Sequence, residues 1–260
     1  MSQSPIGIFD SGVGGISIWK EINQLLPNES TIYLADSKNA PYGTKSTDEI
    51  LALCIENTEL LLAKGSKLIV VACNTATTNA IQVLRENYPV KFIGIEPAIK
   101  PAALNTKTKK VGILATEGTL SSQLFQNTSK LYASGITVIE QIGEGLVTLI
   151  EAGRTNSKET RKLLAEYVEP MIKANIDALV LGCTHYPFLI PTLKTLLPST
   201  VQIIDSGFAV AKQTKSILET EGLGDFDSSA GSHQFFTNAD VEVLSSFVPQ
   251  ANTEISFLDF

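Results

Sequence analysis

Short, unbroken apolar runs alternate with longer helical patterns from one end of this chain to the other, and that alternation constrains its fold more than any other feature. The runs Ile6–Phe9, Thr31–Ala35, Leu68–Ala72, Lys91–Ile95, Lys110–Ala115, Thr137–Glu140, Ala178–Leu181 and Val201–Ile204 read as strands. Several are continuously apolar rather than alternating, as expected of parallel strands covered on both faces. Between them, Asp48–Ala63, Thr77–Asn87, Leu120–Leu131, Lys158–Lys173 and Gly207–Glu219 carry helical patterns. Strand–helix alternation of this kind implies an α/β fold with mostly parallel sheets.

An internal echo refines that expectation. Ile6-Gly7-Ile8-Phe9-Asp10-Ser11 resembles Val111-Gly112-Ile113-Leu114-Ala115-Thr116, and Val70-Val71-Ala72-Cys73-Asn74-Thr75 resembles Leu179-Val180-Leu181-Gly182-Cys183-Thr184. The offsets, 105 and 110 residues, nearly keep step. The echo suggests two similar α/β domains related by a pseudo-two-fold and facing each other across a cleft. Any two buried strands followed by turns share some of this look, so the echo alone leaves both readings open. No low-complexity linker marks a boundary, and the proline- and lysine-bearing segment 97–110 is the natural crossover.

Charge bears on what such a cleft could hold. Twenty basic against 27 acidic residues leave a net charge of −7, which argues against a nucleic-acid binder. Arginine occurs only at Arg85, Arg154 and Arg161, so an anionic ligand must be held mostly by backbone amides and hydroxyls. Apolar stretches fall far short of the ~18 residues of a membrane span, so no membrane association is expected. No secretory leader is visible, and the three cysteines are an odd count, which suits reduced thiols and a cytoplasmic address.

Cys73 closes the apolar run ending at Ala72, just before a helix, and so sits at the carboxyl end of a parallel strand, where open α/β sheets bind ligands. Helix-start amides favour a thiolate, so its pKa is expected below the free-thiol value; a buried structural cysteine is the other reading. Cys183 repeats the arrangement in Gly182-Cys183-Thr184-His185-Tyr186-Pro187, adding a hydroxyl and an imidazole. Cys183-x-His185 offers too few ligands for zinc, and no metal is expected. A Cys–His hydrolase is a fairer competitor, although it leaves Cys73 without a role.

Asp10-Ser11-Gly12-Val13-Gly14-Gly15 follows the first strand; its glycines admit a ligand close to the backbone, and Asp10 supplies an acid. Ser17 stands where a dinucleotide fingerprint requires glycine, so no dinucleotide is expected. Pro41-Tyr42-Gly43 forms a turn with the Tyr42 phenol at its tip, and Asp36 and Ser37 precede it. On sequence alone Glu151 reads as a solvated helix end rather than a cleft acid, Asp205-Ser206 as a helix cap, and Cys54 as core. Two matched thiols suit a two-base reaction in which one removes a proton from carbon and the other delivers one to the opposite face, with no cofactor. Asp10 and His185 would tune or shuttle protons, and helix-start amides would stabilise the developing negative charge.

As a set, Phe9-Asp10-Ser11-Gly12-Val13-Gly14-Gly15, Pro41-Tyr42-Gly43, Ala72-Cys73-Asn74-Thr75-Ala76, Leu181-Gly182-Cys183-Thr184-His185-Tyr186-Pro187 and Ile204-Asp205-Ser206 closely resemble the bacterial glutamate racemase family. The resemblance runs in the family's order over about four-fifths of the chain; the segment after about residue 221 carries no family motif. It implies cofactor-independent interconversion of L- and D-glutamate, supplying D-glutamate for peptidoglycan synthesis, with Cys73 and Cys183 as bases. It also implies substrate contacts at Asp10, Ser11, Pro41, Tyr42, Gly43, Asn74, Thr75, Thr184 and His185, and aligns Glu151 with an acid that assists the second cysteine. The fold it implies has 1–96 with 207–260 as a first α/β domain and 97–206 as a second. A homodimer is compatible with it, and no isolated apolar helix fixes an interface. The alternatives are an aspartate or other small-acid racemase, disfavoured by His185 where aspartate racemases carry an acid, and two readings of a different class, the Cys–His hydrolase and a non-catalytic two-lobed binding module.

Overall fold

In the computed structural model, which describes residues 4–133, 135–225, 230–249 and 252–260, the chain forms two wholly parallel sheets. Ten strands build them: β1 (Ile6–Asp10), β2 (Thr31–Ala35), β3 (Leu68–Val71), β4 (Lys91–Gly94), β5 (Lys110–Ala115), β6 (Thr137–Ile142), β7 (Ala178–Gly182), β8 (Gln202–Ile204), β9 (His233–Thr237) and β10 (Thr253–Phe257). The first sheet has the order β10-β9-β2-β1-β3-β4, the second β6-β5-β7-β8. The stretch β2-β1-β3-β4 has the same connectivity as β6-β5-β7-β8. The internal echo is therefore structural: β1 matches β5, and β3 matches β7.

All eight expected strands are present, two with the expected bounds and six with one end shifted by one or two residues. The continuous apolar runs of β1, β3 and β7 are buried along their whole length. Two further strands, β9 and β10, lie in the segment that carried no motif. His233-Gln-Phe-Phe-Thr is half polar, and β10 is a partly exposed edge, so neither shows the apolar run that marks the interior strands. The helix Gly207–Thr220 packs against the helix Ile16–Leu25, and β9 then pairs with β2, so the chain ends on the first sheet.

Two helix expectations need correction. The helix expected from Thr77 begins at Asn74, because Cys73 takes the N-cap position and its sulfur accepts the Ala76 N–H at 3.4 Å. Leu120–Leu131 is two helices, Glu117–Leu120 and Gln123–Tyr132, since the Thr116 and Ser122 side chains each cap a separate start. One apolar core joins Ile6, Ile16 and Trp19 of the first sheet's lobe to Leu146, Ile150 and Tyr186 of the second's, so the two lobes meet over packed side chains beside the cleft. No helix among the described residues is long and apolar enough to cross a membrane.

Candidate active site

The carboxyl ends of β3 and β7 bring Cys73 and Cys183 to one small cavity of about 10 Å³. Ser11, Pro41, Tyr42, Gly43, Asn74, Thr75, Thr184 and His185 also line it, and so do Thr116 and Val147. A volume near that of a single water sphere cannot hold an amino acid, so the cavity must widen to admit one. A larger cavity of about 630 Å³ adjoins it and shares Pro41, Gly43, Thr116 and Val147.

Cys73 donates to the Ser11 hydroxyl at 3.6 Å and accepts from the first turn of its helix. The expected lowering of its pKa does not hold in this closed cleft. Burial pushes the thiol up and the charge of Asp10 pushes it the same way, outweighing the Ala76 amide and Ser11, which pull it down. Cys183 lies 3.7 Å from Nδ1 of His185, whose Nε2 is 2.5 Å from Oε1 of Glu151. Burial alone would lower the imidazole pKa, but Cys183 and Glu151 hold it well above the ordinary histidine value.

Glu151 is thus a cleft acid and not a solvated helix end. Its carboxylate ends the helix Leu146–Glu151 and accepts the Val13 N–H at 2.7 Å and the Ser37 hydroxyl at 2.8 Å, both from the first sheet's side. This also extends the role of the glycine-rich turn. A Cβ at Gly12 would run into the Glu151 carboxylate, and one at Gly14 into the His185 ring. Gly12 and Gly14 thus also make room for the facing lobe's acid and imidazole.

Asp10 is fully buried, accepting the Gly12 N–H at 3.1 Å and, across the cleft, the Thr184 hydroxyl at 3.0 Å. Burial raises its pKa to about 6, with the Glu151 charge adding to the rise and His185 opposing it. The Tyr42 phenol is not at an exposed tip: it donates to Asp36 at 2.5 Å and is buried beside Asn57. Both polar atoms of the Asn74 amide are buried without a hydrogen-bond partner, an orphaned pair that a polar ligand in the cavity would satisfy. Thr75 meets Thr116 at 2.9 Å. Thr116 escaped the sequence reading although the echo carried it, since it stands after β5 where Ser11 stands after β1. His233 is structural, bonded to Thr31 and packed edge-on against Trp19. At the cap after β8, it is Asp205 that accepts the Gly207 N–H, while the Ser206 hydroxyl bonds the Glu96 carbonyl. Cys54 is core, as expected.

The Asp/Glu/Hydantoin racemase family matches residues 6–214. The chain belongs to that family. Among its relatives, the glutamate racemase of Ectopseudomonas mendocina is 48% identical over 249 residues, covering 95% of this chain and 94% of its own. That of Herpetosiphon aurantiacus is 47% identical over 240 residues, with 92% and 94% covered. Among solved structures, Escherichia coli glutamate racemase in complex with L-glutamate and the activator UDP-MurNAc-Ala superposes with a TM-score of 0.86 at 33% identity, covering 98% of both chains. An aspartate racemase from Picrophilus torridus has a TM-score of 0.53 at 20% identity, a likeness of fold alone. The hydrolase and binding-module readings do not survive the family assignment.

Proposed function

We propose that the chain is a cofactor-independent glutamate racemase that interconverts L- and D-glutamate by proton transfer at Cα between Cys73 and Cys183. The observation that carries it is the pairing of the two thiols at the ends of equivalent strands, β3 and β7, on one cavity. One thiolate takes the α-proton while the opposite thiol delivers its own to the other face, which inverts the stereocentre. Asn74, Thr75, Thr184, Ser11 and the Pro41-Tyr42-Gly43 turn bind the substrate through hydroxyls, amides and backbone groups, in keeping with the scarcity of arginine. The substrate's own ammonium, once enclosed, supplies the positive charge that the buried Cys73 thiolate lacks. Asp10 serves the Cys73 side, and His185 with Glu151 serves the Cys183 side by holding its proton. The first lobe comprises 1–96 and 207–260 and the second 97–206, following sheet membership. The product feeds peptidoglycan synthesis in the cytoplasm.

Glutamate is favoured over aspartate by the relatives' shared substrate and by His185 after the second Cys-Thr. Circular dichroism of L-glutamate incubated with reduced, chelator-treated protein tests both points, with L-aspartate in parallel. The glutamate signal is expected to decay to zero ellipticity while the aspartate signal persists. Decay of aspartate alone would overturn the substrate assignment, and no decay of either would overturn the racemase reading.

A further inference from the structure

Glu151 and His185 come from the second sheet's lobe, yet two of the donors on the Glu151 carboxylate belong to the first. Oε1 accepts the Val13 N–H at 2.7 Å and faces Nε2 of His185, and Oε2 accepts the Ser37 hydroxyl at 2.8 Å. Ser37 opens the turn Ser37–Asn39 directly after β2, and that turn is fixed independently of Glu151. Its preceding residue, Asp36, donates its N–H to the Asp10 carbonyl at 3.0 Å, and the Asp36 carboxylate is gripped by Asn39, Tyr42 and Asn238. The Ser37 hydroxyl therefore stands on a platform held by its own lobe, apart from its bond to Glu151. Resting on the racemase reading above, we propose that Ser37 is a positioning residue for the Cys183 half-reaction.

A carboxylate accepts about four hydrogen bonds, and orientation is what the Ser37 bond adds. With Oε2 fixed by Ser37 and Oε1 by Val13, the carboxylate plane is set, His185 keeps Nε2–H toward Glu151, and Nδ1 faces the Cys183 sulfur. Without Ser37, Oε2 is free to swing and the imidazole loses its alignment on Cys183. Cys73 bonds Ser11 and the start of its own helix, and no hydrogen bond among the described residues ties it to Ser37, Glu151 or His185. The first lobe, through Val13 and Ser37, thus completes the Cys183 acid–base apparatus of the second.

Ser37→Ala tests this, with Ser37→Thr as the conservative rescue and melting curves to confirm folding. Ser37→Ala is expected to lower kcat/KM about tenfold to a hundredfold, the range for a lost hydrogen bond to a charged group. The fall must be equal in both directions, because two enantiomers have an equilibrium constant of one. The α-deuterium isotope effect separates positioning from general damage. It should rise for the enantiomer whose proton Cys183 takes and fall toward one for the other, with the enantiomers assigned from proton exchange by Cys73→Ser and Cys183→Ser. Ser37→Thr should restore both rate and isotope effects. Wild-type kcat/KM in Ser37→Ala, or isotope effects that change alike for both enantiomers, would overturn the positioning role while leaving the racemase reading intact. A wild-type protein that fails to racemise glutamate at all would overturn both.

Discussion

Replacing either Cys73 or Cys183 with alanine is expected to lower glutamate racemisation by about 10²- to 10⁴-fold in both directions, the contribution of one positioned acid or base. Each turnover needs both thiols, one as base and one as acid, so the double variant should be scarcely slower than either single one. Folding should survive, because each change removes one sulfur from the wall of a cavity already open to about 10 Å³. Serine at either position keeps a weak hydrogen-bonding group, and each serine variant should still exchange the α-proton of one enantiomer through the remaining thiol. Circular dichroism of each enantiomer, with exchange followed by NMR, reads all of these. A harmless Cys73→Ala would point to a reaction centred on Cys183 alone.

Asp10→Asn should produce opposite effects on activity and stability. The carboxyl group ordinarily titrates at 3.8, and burial raises that to about 6 in the folded chain. Between those values the folded protein holds a proton that the unfolded chain has released, so stability falls as pH rises through the window. At 1.36 kcal/mol per unit, the ionised carboxylate costs about 3 kcal/mol at neutral pH. Asparagine keeps an oxygen for the Gly12 N–H and an amide to face the Thr184 hydroxyl, without the charge. Melting at pH 8 is therefore expected to rise by about 5–10 °C, a gain that disappears as pH falls to about 4. Activity should drop about 10²-fold, because the charge beside both lobes' catalytic groups is lost. A variant no more stable than the parent at pH 8 would contradict the cost assigned to burying this carboxylate.

Much of this architecture is legible in the sequence because its interior strands are continuous apolar runs. β3 and β7 end within two residues of their cysteines, and the echo between them reports a real equivalence of sheet order. What escaped was structure stabilised by tertiary partners. β9 owes its place to pairing with β2, and His233 to Thr31 and Trp19, which a local pattern does not reveal. Glu151 looked like a solvated helix end because its partners, Val13 and Ser37, are more than a hundred residues away. The Cys73 pKa departs from the sequence expectation for a related reason. The helix start is visible in the sequence, whereas the degree of burial and the nearby Asp10 charge depend on the closed cleft. Tyr42 likewise looks exposed beside its proline and glycine until Asp36 and Asn57 are seen to hold its phenol inside.

Racemisation of L-glutamate in deuterated water, sampled by NMR over the first few per cent of conversion, tests the two-thiol mechanism most directly. Delivery from the opposite thiol predicts D-glutamate carrying deuterium at Cα from the first turnover, while the remaining L-glutamate keeps its protium. An α-proton carried over into the D-glutamate, or deuterium appearing equally in both enantiomers, would mean that one base serves both faces and that Cys73 and Cys183 do not divide the work between them.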